Sequence, residues 1–147
     1  MDDIDALNVL EAEVGLNAPI DPLDEIPLKD DTPRYNPDQM LPLLHSEILQ
    51  QRMLAARAFY KIQEPRAVPR LIELLNDDSP LVRVNVAYAL GRNPSETAVD
   101  ALINQLASDS HGYVRKAVVW ALGNCQNERA VVPLVEAIKN DMSVVRL

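Results

Sequence analysis

The chain has 147 residues, of which 48% are hydrophobic and only 4% aromatic, so Leu, Val, Ile and Ala must supply most of any core. Its net charge of −8 is concentrated near the N-terminus: residues 1–36 hold ten acidic residues against Lys29 and Arg34, whereas residues 37–147 hold twelve of each sign. This acidic balance argues against nucleic acid or an anionic membrane as the main partner.

No run in the sequence approaches the roughly 18 to 20 apolar residues that cross a bilayer, so membrane insertion is not expected. The acidic start, Met1-Asp2-Asp3-Ile4-Asp5, lacks the positive charge of a secretory signal, which predicts a cytoplasmic protein. The single cysteine, Cys125, excludes an internal disulfide within these residues.

Residues 1–36 are predicted to form an acidic leader outside the repeats that follow. Within it, residues 2–16 place apolar side chains near helical spacing and end at Gly15, which predicts a short amphipathic helix. Residues 17–36 are rich in proline, which fixes φ and removes an amide donor, so this part is expected to be extended. Three interpretations of the leader stay open: a disordered segment, a segment that packs on the first repeat, and one that binds a partner in trans.

From about residue 37 onward the sequence repeats. Equivalent arginines recur at spacings of 31, 32 and 31 residues, namely Arg52, Arg83, Arg115 and Arg146. A fixed period of this length indicates stacked helical hairpins, here about 37–66, 67–97, 98–129 and a truncated 130–147. In each first helix, apolar residues recur at i, i+4 and i+8 and form an inward stripe, as at Ala67, Leu71 and Leu75.

The second helix of a hairpin is predicted to begin near Pro80 and again near Gly112. The aspartates ahead of these positions are expected to cap the helices, because a carboxylate can accept from the orphan amides of a first turn. Gly91 and Gly123 are expected where a small residue or a helix stop is needed.

Three irregularities interrupt the repeat. Pro42 in the first unit predicts a short or kinked first helix, because proline is tolerated only in the first turn. The one spacing of 32 is attributed to an extra residue, His111 or Gly112, in the loop between the two helices of the third unit. The sequence stops at Leu147, about one turn into a second helix, which favours a piece of a longer array.

The pattern Asp78-x-x-x-Val82-Arg83-x-x-x-Ala87-x-Ala89-Leu90-Gly91 resembles HEAT repeats, in particular the short variety of phycobilin-lyase-like proteins of cyanobacterial type. The resemblance covers about residues 37–147. It implies an all-α, right-handed α-solenoid of HEAT-like hairpins, and it leads us to expect a non-catalytic protein–protein interaction scaffold.

The same resemblance implies two alternative functions. One is a phycobilin lyase or lyase-like chaperone that handles phycocyanobilin and a phycobiliprotein subunit; lyases of this type usually require two HEAT subunits. The other is a scaffold for iron–sulfur assembly proteins, in which Cys125 would be relevant.

The recurring arginines are interpreted first as structural. Arg83 is expected to pair with Asp78 and Arg146 with Asp141, within or between repeats, because family members bridge neighbouring units in this way. Glu47 is expected to take the role of the aspartate for Arg52.

Side chains two, five and nine residues after each arginine are expected to share one face of each second helix. The resemblance to HEAT repeats implies that the second helices line the concave side of the array. The candidate partner-binding residues on that face are Arg57, Lys61, Asn85, Tyr88, Arg92, Trp120 and Asn124. A row of aromatic residues and arginine is typical of protein-binding hot spots. The alternative is that Tyr88 and Trp120 merely pack between helices and keep one polar edge in water.

Little in the sequence points to catalysis. His111 lies beside Asp109 and Ser110 and is interpreted as a turn residue rather than part of a triad. His45 is followed by Ser46 and His111 by Gly112, so neither forms the His-Glu pair of HEAT-like iron hydroxylases. Cys125 is expected to be an inert thiol. No catalytic residue, metal site or cofactor is therefore predicted, with phycocyanobilin kept only for the lyase alternative.

Overall fold

The computed structural model describes residues 35–145, with side chains described for residues 35–140. These residues form seven α-helices and two 3₁₀ turns, Pro65–Ala67 and Glu128–Ala130, with no strand among them. The helices are α1 (Pro37–Leu43), α2 (Leu49–Lys61), α3 (Val68–Leu74), α4 (Pro80–Arg92), α5 (Glu96–Ser108), α6 (Gly112–Cys125) and α7 (Val131–Val145). The helix predicted for residues 2–16 and the extended segment 17–34 lie outside the described residues.

The helices pair into stacked hairpins, as the repeat predicts. Helix α1 packs on α2, α3 on α4 and α5 on α6, and α7 is the first helix of a fourth unit. Helix α7 continues to Val145, so the expected start of a second helix before the end of the sequence is wrong. The second helices form a continuous layer in which α4 lies between α2 and α6, and the first helices α3, α5 and α7 form the other layer. The described residues are therefore an α-solenoid, and the prediction of an all-α array is confirmed.

The core lies between these two layers and is built by the predicted inward stripes. Fully buried positions come in equivalent sets from successive repeats: Leu71 with Leu102 in the first helices, and Val82 with Val114 in the second helices. Valine and leucine at these positions fill the interior, and alanines such as Ala89 let neighbouring backbones approach closely. The core is mostly aliphatic, with Phe59 as a fully buried aromatic side chain among Leu, Val and Ala.

The first hairpin begins with the short helix that Pro42 predicts. Helix α1 has seven residues, is capped by the Asn36 side chain, which accepts from the Asp38 N–H at 2.9 Å, and contains Pro42 in its last turn. None of its residues is fully buried. This helix therefore adds little to the core.

The predicted starts of the second helices are confirmed at Pro80 and Gly112. Gly91 and Gly123 do not stop their helices, which continue to Arg92 and Cys125, so the helix-stop alternative is wrong. The alternative of a required small residue is confirmed at Gly91, where an added Cβ would lie 3.0 Å from the backbone of Ala121. The position predicted for the extra residue is also wrong.

The extra residue of the third unit lies at the end of its first helix. Leu75 and Leu106 are 31 residues apart, whereas the loop residues Asp77 and Asp109 are 32 apart, so the insertion falls between Leu106 and Asp109. Helix α5 absorbs the insertion by continuing to Ser108. The loop that contains His111 keeps the length of its predecessor.

Among the described residues, no helix is both long enough and apolar enough to cross a membrane.

Candidate functional site

The second helices are joined at their N-terminal ends by arginines that reach into the next repeat. Arg83 donates from Nε to Asp109 Oδ2 at 2.9 Å and from Nη1 to the backbone oxygen of Asp77 at 2.7 Å. Arg52 makes the equivalent bonds, to Asp77 Oδ2 at 2.8 Å and to the Ser46 oxygen at 2.9 Å. Each arginine therefore binds its own loop through a carbonyl and the following loop through a carboxylate.

This geometry corrects the predicted pairs. Arg83 meets Asp78 only at its backbone oxygen, at 3.3 Å, and the carboxylate that it binds belongs to Asp109 of the next repeat. Likewise Arg52 pairs with Asp77 rather than Glu47. The Arg83 guanidinium lies between its own loop and the loop of the next repeat, because it donates both to the Asp77 backbone oxygen and to the Asp109 carboxylate. Arg146 and the Asp141 side chain lie outside the described residues.

The two loop aspartates also fix the turns that carry them. Asp77 Oδ1 accepts from the Ser79 N–H at 2.9 Å, and Asp109 Oδ1 accepts from the His111 N–H at 3.0 Å. These bonds close the turn before the helix and do not cap its first-turn amides, so the predicted capping role is wrong. The carboxylates organise the loop that the previous arginine binds.

Asp109 is charged although its side chain is only 1% exposed. Burial acts most strongly to raise its pKa, but hydrogen bonds from the His111 backbone and from Arg83 and Gln105 outweigh burial and hold the pKa below its usual value. Gln105 Nε2 contributes its bond at 2.7 Å. Hydrogen bonds donated to the carboxylate thus favour its ionised form despite burial.

A buried asparagine joins the same helices at their C-terminal ends. Asn93 Nδ2 donates to the backbone oxygens of Phe59 at 2.9 Å and of Ala89 at 3.0 Å, while its Oδ1 accepts from the Glu64 N–H at 2.7 Å. The bonds to Phe59 and Glu64 satisfy backbone groups at the end of α2 and just beyond it. Helices α2 and α4 are thus fixed at both ends, which holds the surface between those ends in one geometry.

Three aromatic rings meet on this surface, one from each second helix. The ring centroids of Tyr60 and Tyr88 are 5.9 Å apart, those of Tyr60 and Trp120 are 5.9 Å apart, and those of Tyr88 and Trp120 are 5.3 Å apart. Tyr60 of α2 and Trp120 of α6 thus touch across the intervening α4, the contact expected on the inside of a curved array. We call the side of the second helices that carries these rings the second-helix face.

Gly91 makes room for the tryptophan. A Cβ atom at this position would lie 2.8 Å from Trp120 Cε3 and closer still to Cζ3, so only glycine lets the indole lie against α4. Asn124, one turn after Trp120, donates from Nδ2 to the Gly91 oxygen at 3.2 Å. Gly123, the equivalent of Gly91 in the next repeat, has open space around its Cα.

The family comparison agrees with this architecture. The family model for HEAT repeats matches residues 37–122 and, in a second placement, residues 68–147. The chain belongs to the HEAT-repeat family. A search of curated proteins found no match. The finer resemblance, to phycobilin-lyase-like HEAT proteins, stays a prediction.

Most of the predicted partner-binding residues lie on the second-helix face of the HEAT array. Tyr88 and Trp120 are half-buried in the aromatic cluster, and Lys61 places its Nζ 5.2 Å from the centroid of the Tyr60 ring. Arg57, four residues before Lys61, is half-buried, and Arg92 and Asn124 are exposed. Their role in binding a partner stays a prediction.

Asn85 is the exception, because it is only 1% exposed and its Nδ2 donates to the Leu81 oxygen at 2.8 Å. Its position is exposed in the first repeat, at Leu54, but buried at Asn85 and Ala117. That pattern is the one expected for a side chain that faces the preceding second helix. Asn85 therefore belongs to the stacking and is not part of an accessible surface.

Tyr60 was missed because the comparison of repeats selected only equivalent positions. It lies eight residues after Arg52, whereas Tyr88 and Trp120 each lie five residues after their arginines. The available signal was its position three residues after Arg57 and next to Lys61, which puts it on the same side of α2. A search by helix face would have found it.

His111 contacts the arginine that joins two repeats. Its Nδ1 lies 3.2 Å from Arg83 Nη2 and 3.1 Å from Ser110 Oγ. The Arg83 guanidinium can only donate, so this contact is a hydrogen bond when Nδ1 accepts. The histidine supports the arginine that joins two repeats, which agrees with the turn-residue interpretation.

The remaining candidate for chemistry is Cys125, at the end of α6. Burial raises the pKa of its thiol, and the nearby Glu96 carboxylate adds to the rise although a backbone hydrogen bond from Ser95 opposes it. A raised pKa disfavours the thiolate that nucleophilic attack or metal ligation requires. Among residues 35–140, no three His, Cys, Asp or Glu side chains come together as a metal site.

Proposed function

We propose that this HEAT-repeat protein is a non-catalytic scaffold that binds a partner protein across the second-helix face. The observation that carries the proposal is the cluster of Tyr60, Tyr88 and Trp120, which gathers three of the chain's few aromatic residues at one place. Aromatic side chains of this type dominate the binding energy of protein interfaces. HEAT-like arrays use their extended surfaces for such interactions.

The way in which the rings of the second-helix face are held in place favours a role in binding a partner over a role in packing alone. The rings are held by Gly91 below and by their neighbours at the sides, so a partner would order few side chains on contact. Lower ordering cost leaves more of the contact energy for affinity. Arg92 and Asn124 lie exposed beside the rings and supply the polar rim that interfaces have.

Site-specific photo-crosslinking tests this proposal. A benzophenone amino acid at Asn124, on the second-helix face, is compared with the same amino acid at Asn104, an exposed asparagine of the first-helix layer. In native lysate we expect a discrete crosslinked partner at position 124 and none at position 104. The partner, identified by mass spectrometry, must then bind the purified chain. Equal crosslinking at both positions, or none at 124, contradicts the proposal.

A second candidate is the phycobilin lyase or lyase-like chaperone that the sequence resemblance implies. One observation favours it: aromatic rings beside the Lys61 ammonium suit a planar tetrapyrrole that carries carboxylates. The full chain is mixed with phycocyanobilin and an apo-phycobiliprotein subunit, and bilin absorbance and covalent transfer are followed. If the bilin spectrum is unchanged by the chain, this candidate is rejected, and the scaffold proposal is unaffected.

A further inference from the structure

Neighbouring second helices meet through one recurring pair of positions. The residue eight positions after the arginine of one repeat lies against the residue five positions after the arginine of the next repeat. These pairs are Tyr60 with Tyr88, whose ring centroids are 5.9 Å apart, and Gly91 with Trp120, whose indole leaves no room for a Cβ at Gly91. In both pairs the later helix supplies an aromatic side chain.

Gly123 of α6 is the next residue in this series. It lies eight residues after Arg115, and no described atom lies within 4 Å of a Cβ built on it. Val119, one turn earlier on α6, is half-buried, whereas its equivalents Ala56 and Ala87 are fully buried. Among the described residues, the side of α6 that corresponds to the contact between α4 and α6 is therefore uncovered.

The first helix of the fourth unit, α7, is uncovered on its apolar side. Val131 is 55% exposed and Ile138 is 50% exposed, whereas their equivalents one repeat earlier, Val99 and Leu106, are 1% and 5% exposed. The earlier pair is buried because α6 packs on α5. Val135 lies between Val131 and Ile138 and is 45% exposed, so the three side chains form an apolar stripe along one side of α7.

We propose that these uncovered sides of α6 and α7 bind an amphipathic helix of a partner protein, in the place that α6 takes on α4 and α5. The partner helix presents a large aromatic side chain to Gly123 and an aliphatic stripe to α7. We call this surface the end surface, and it consists of Val119 and Gly123 of α6 with Val131, Val135 and Ile138 of α7. It is a second interaction surface and does not rest on the scaffold function proposed above.

Continuity with the stack argues that the occupant is a helix. Helix α4 lies on α2 and α3, and α6 lies on α4 and α5, so both equivalent places hold a helix that packs on one helix of each layer. Helix α6 shows the side chains that such a place accepts: Val114, Val118 and Leu122 are fully buried at i, i+4 and i+8, and Trp120 lies against Gly91. Buried aromatic side chains of this kind carry much of the binding energy at protein interfaces.

A second copy of this chain fits the end surface less well than a partner helix. Helix α7 of another copy would cover the aliphatic stripe, but Val131–Val145 contains no aromatic residue to fill the space over Gly123. The aromatic residues of α4 and α6 are engaged in the stack of their own copy. The five residues of the end surface are uncharged, so apolar burial drives the binding and nucleic acid finds no phosphate contact there.

The test uses the full chain and a fluorescein-labelled peptide with the sequence of residues 110–124, because α6 fills the equivalent place one repeat earlier. A control peptide has alanine in place of the tryptophan. Binding is followed by fluorescence anisotropy, and we expect the tryptophan peptide to bind at least about tenfold more tightly than the control. Equal binding of the two peptides, or no binding at a chain concentration of about 1 mM, contradicts the proposal.

Two variants of the chain locate the binding. Val135→Asp places a charge within the end surface and should weaken binding of the tryptophan peptide at least about tenfold. Val132→Asp is the matched control, because Val132 is 65% exposed and its equivalent one repeat earlier is the exposed Asp100. Circular dichroism verifies that both variants keep their helicity. Equal losses in the two variants would overturn the proposal.

Gly123→Ala tests the aromatic contact itself. The added Cβ would occupy the space that the peptide indole needs, so the advantage of the tryptophan peptide over the alanine peptide should fall to about twofold or less. An unchanged advantage means that the indole does not lie over Gly123, and the proposal is then rejected. Sedimentation of the chain alone tests the second copy: a dimer that Val135→Asp dissociates, together with no peptide binding, overturns the proposal in favour of self-association.

Discussion

Replacing Gly91 by alanine should loosen the aromatic cluster, whereas the same change at Gly123 should not. At Gly91 the added Cβ would come within 2.8 Å of Trp120 Cε3 and 3.0 Å of the Ala121 backbone, so the indole or the helix must move. Overpacking of this kind costs about 1–3 kcal/mol. Alanine in a helix interior offsets about 0.5–1 kcal/mol of that cost relative to glycine. We therefore expect Gly91→Ala to lower the free energy of unfolding by up to about 2.5 kcal/mol.

Gly123→Ala is the matched control, because the space around Gly123 is open. It should keep only the helix benefit and raise the free energy of unfolding by up to about 1 kcal/mol. Urea denaturation followed by circular dichroism measures both variants. Trp120 is the single tryptophan of the chain, so its native emission reports the cluster directly. The emission maximum should shift to longer wavelength in Gly91→Ala alone.

A double variant isolates the contact. In a Trp120→Ala background the added methyl at position 91 meets no indole, so Gly91→Ala should then cost much less than it does in the wild type. If Gly91→Ala and Gly123→Ala have the same stability and unchanged emission, the indole does not lie on α4 and the cluster described above is incorrect.

Three further predictions concern the joints between repeats. The pKa of Asp109 is lowered on folding, so its contribution to the free energy of unfolding is complete above the unfolded pKa of about 3.9 and is lost as the pH falls below that value. Asp109→Asn lacks this contribution, so its melting temperature should fall less between pH 5 and pH 3 than that of the wild type. Asn93→Ala leaves the Phe59 oxygen and the Glu64 N–H without their partner and should cost about 1–3 kcal/mol in urea denaturation, so an unchanged midpoint contradicts the assigned bonds. Arg129→Ala removes only exposed ion pairs and should change the free energy of unfolding by less than about 1 kcal/mol.

The repeat period predicted the fold because the residues that recur with this period are the ones that build the core. Valine or leucine recurs wherever a side chain must fill the space between the two layers, as at Val82 and Val114, and that requirement is the same in every unit. The boundaries of the second helices followed from the same alignment. The buried side of a helix can be predicted from the spacing of its own apolar residues, without knowing which helices pack against it.

The hydrogen bonds and ion pairs that join neighbouring repeats could not be predicted from the repeat period. Asp77 and Asp78 are adjacent acidic residues, and only the course of the loop decides which one organises the turn and meets Arg52. The carboxylate for Arg83 lies 26 residues downstream, a distance along the chain that no local rule selects. Nearest-neighbour pairing therefore chose Asp78 and Glu47, and the structure replaces both.

The face of the array was predicted in outline and not in detail. Tyr88 and Trp120 were placed on one face because their positions repeat. Tyr60 was not predicted, because its ring reaches the same cluster from a different position in the repeat. Asn85 was included because spacing along a helix does not reveal which side faces the preceding helix.

The arginine of each unit binds a carboxylate that belongs to the unit after it. Because of this offset, the same contact forms again wherever a further unit is inserted. An inserted copy of residues 78–109 would bring its own arginine and its own acceptor, so every arginine upstream would still find a carboxylate 25 or 26 residues later. The array can thus gain or lose whole units while the contacts between the remaining units stay the same. Genetic duplication or loss of a unit would then alter how far the protein reaches while each remaining joint keeps its chemistry.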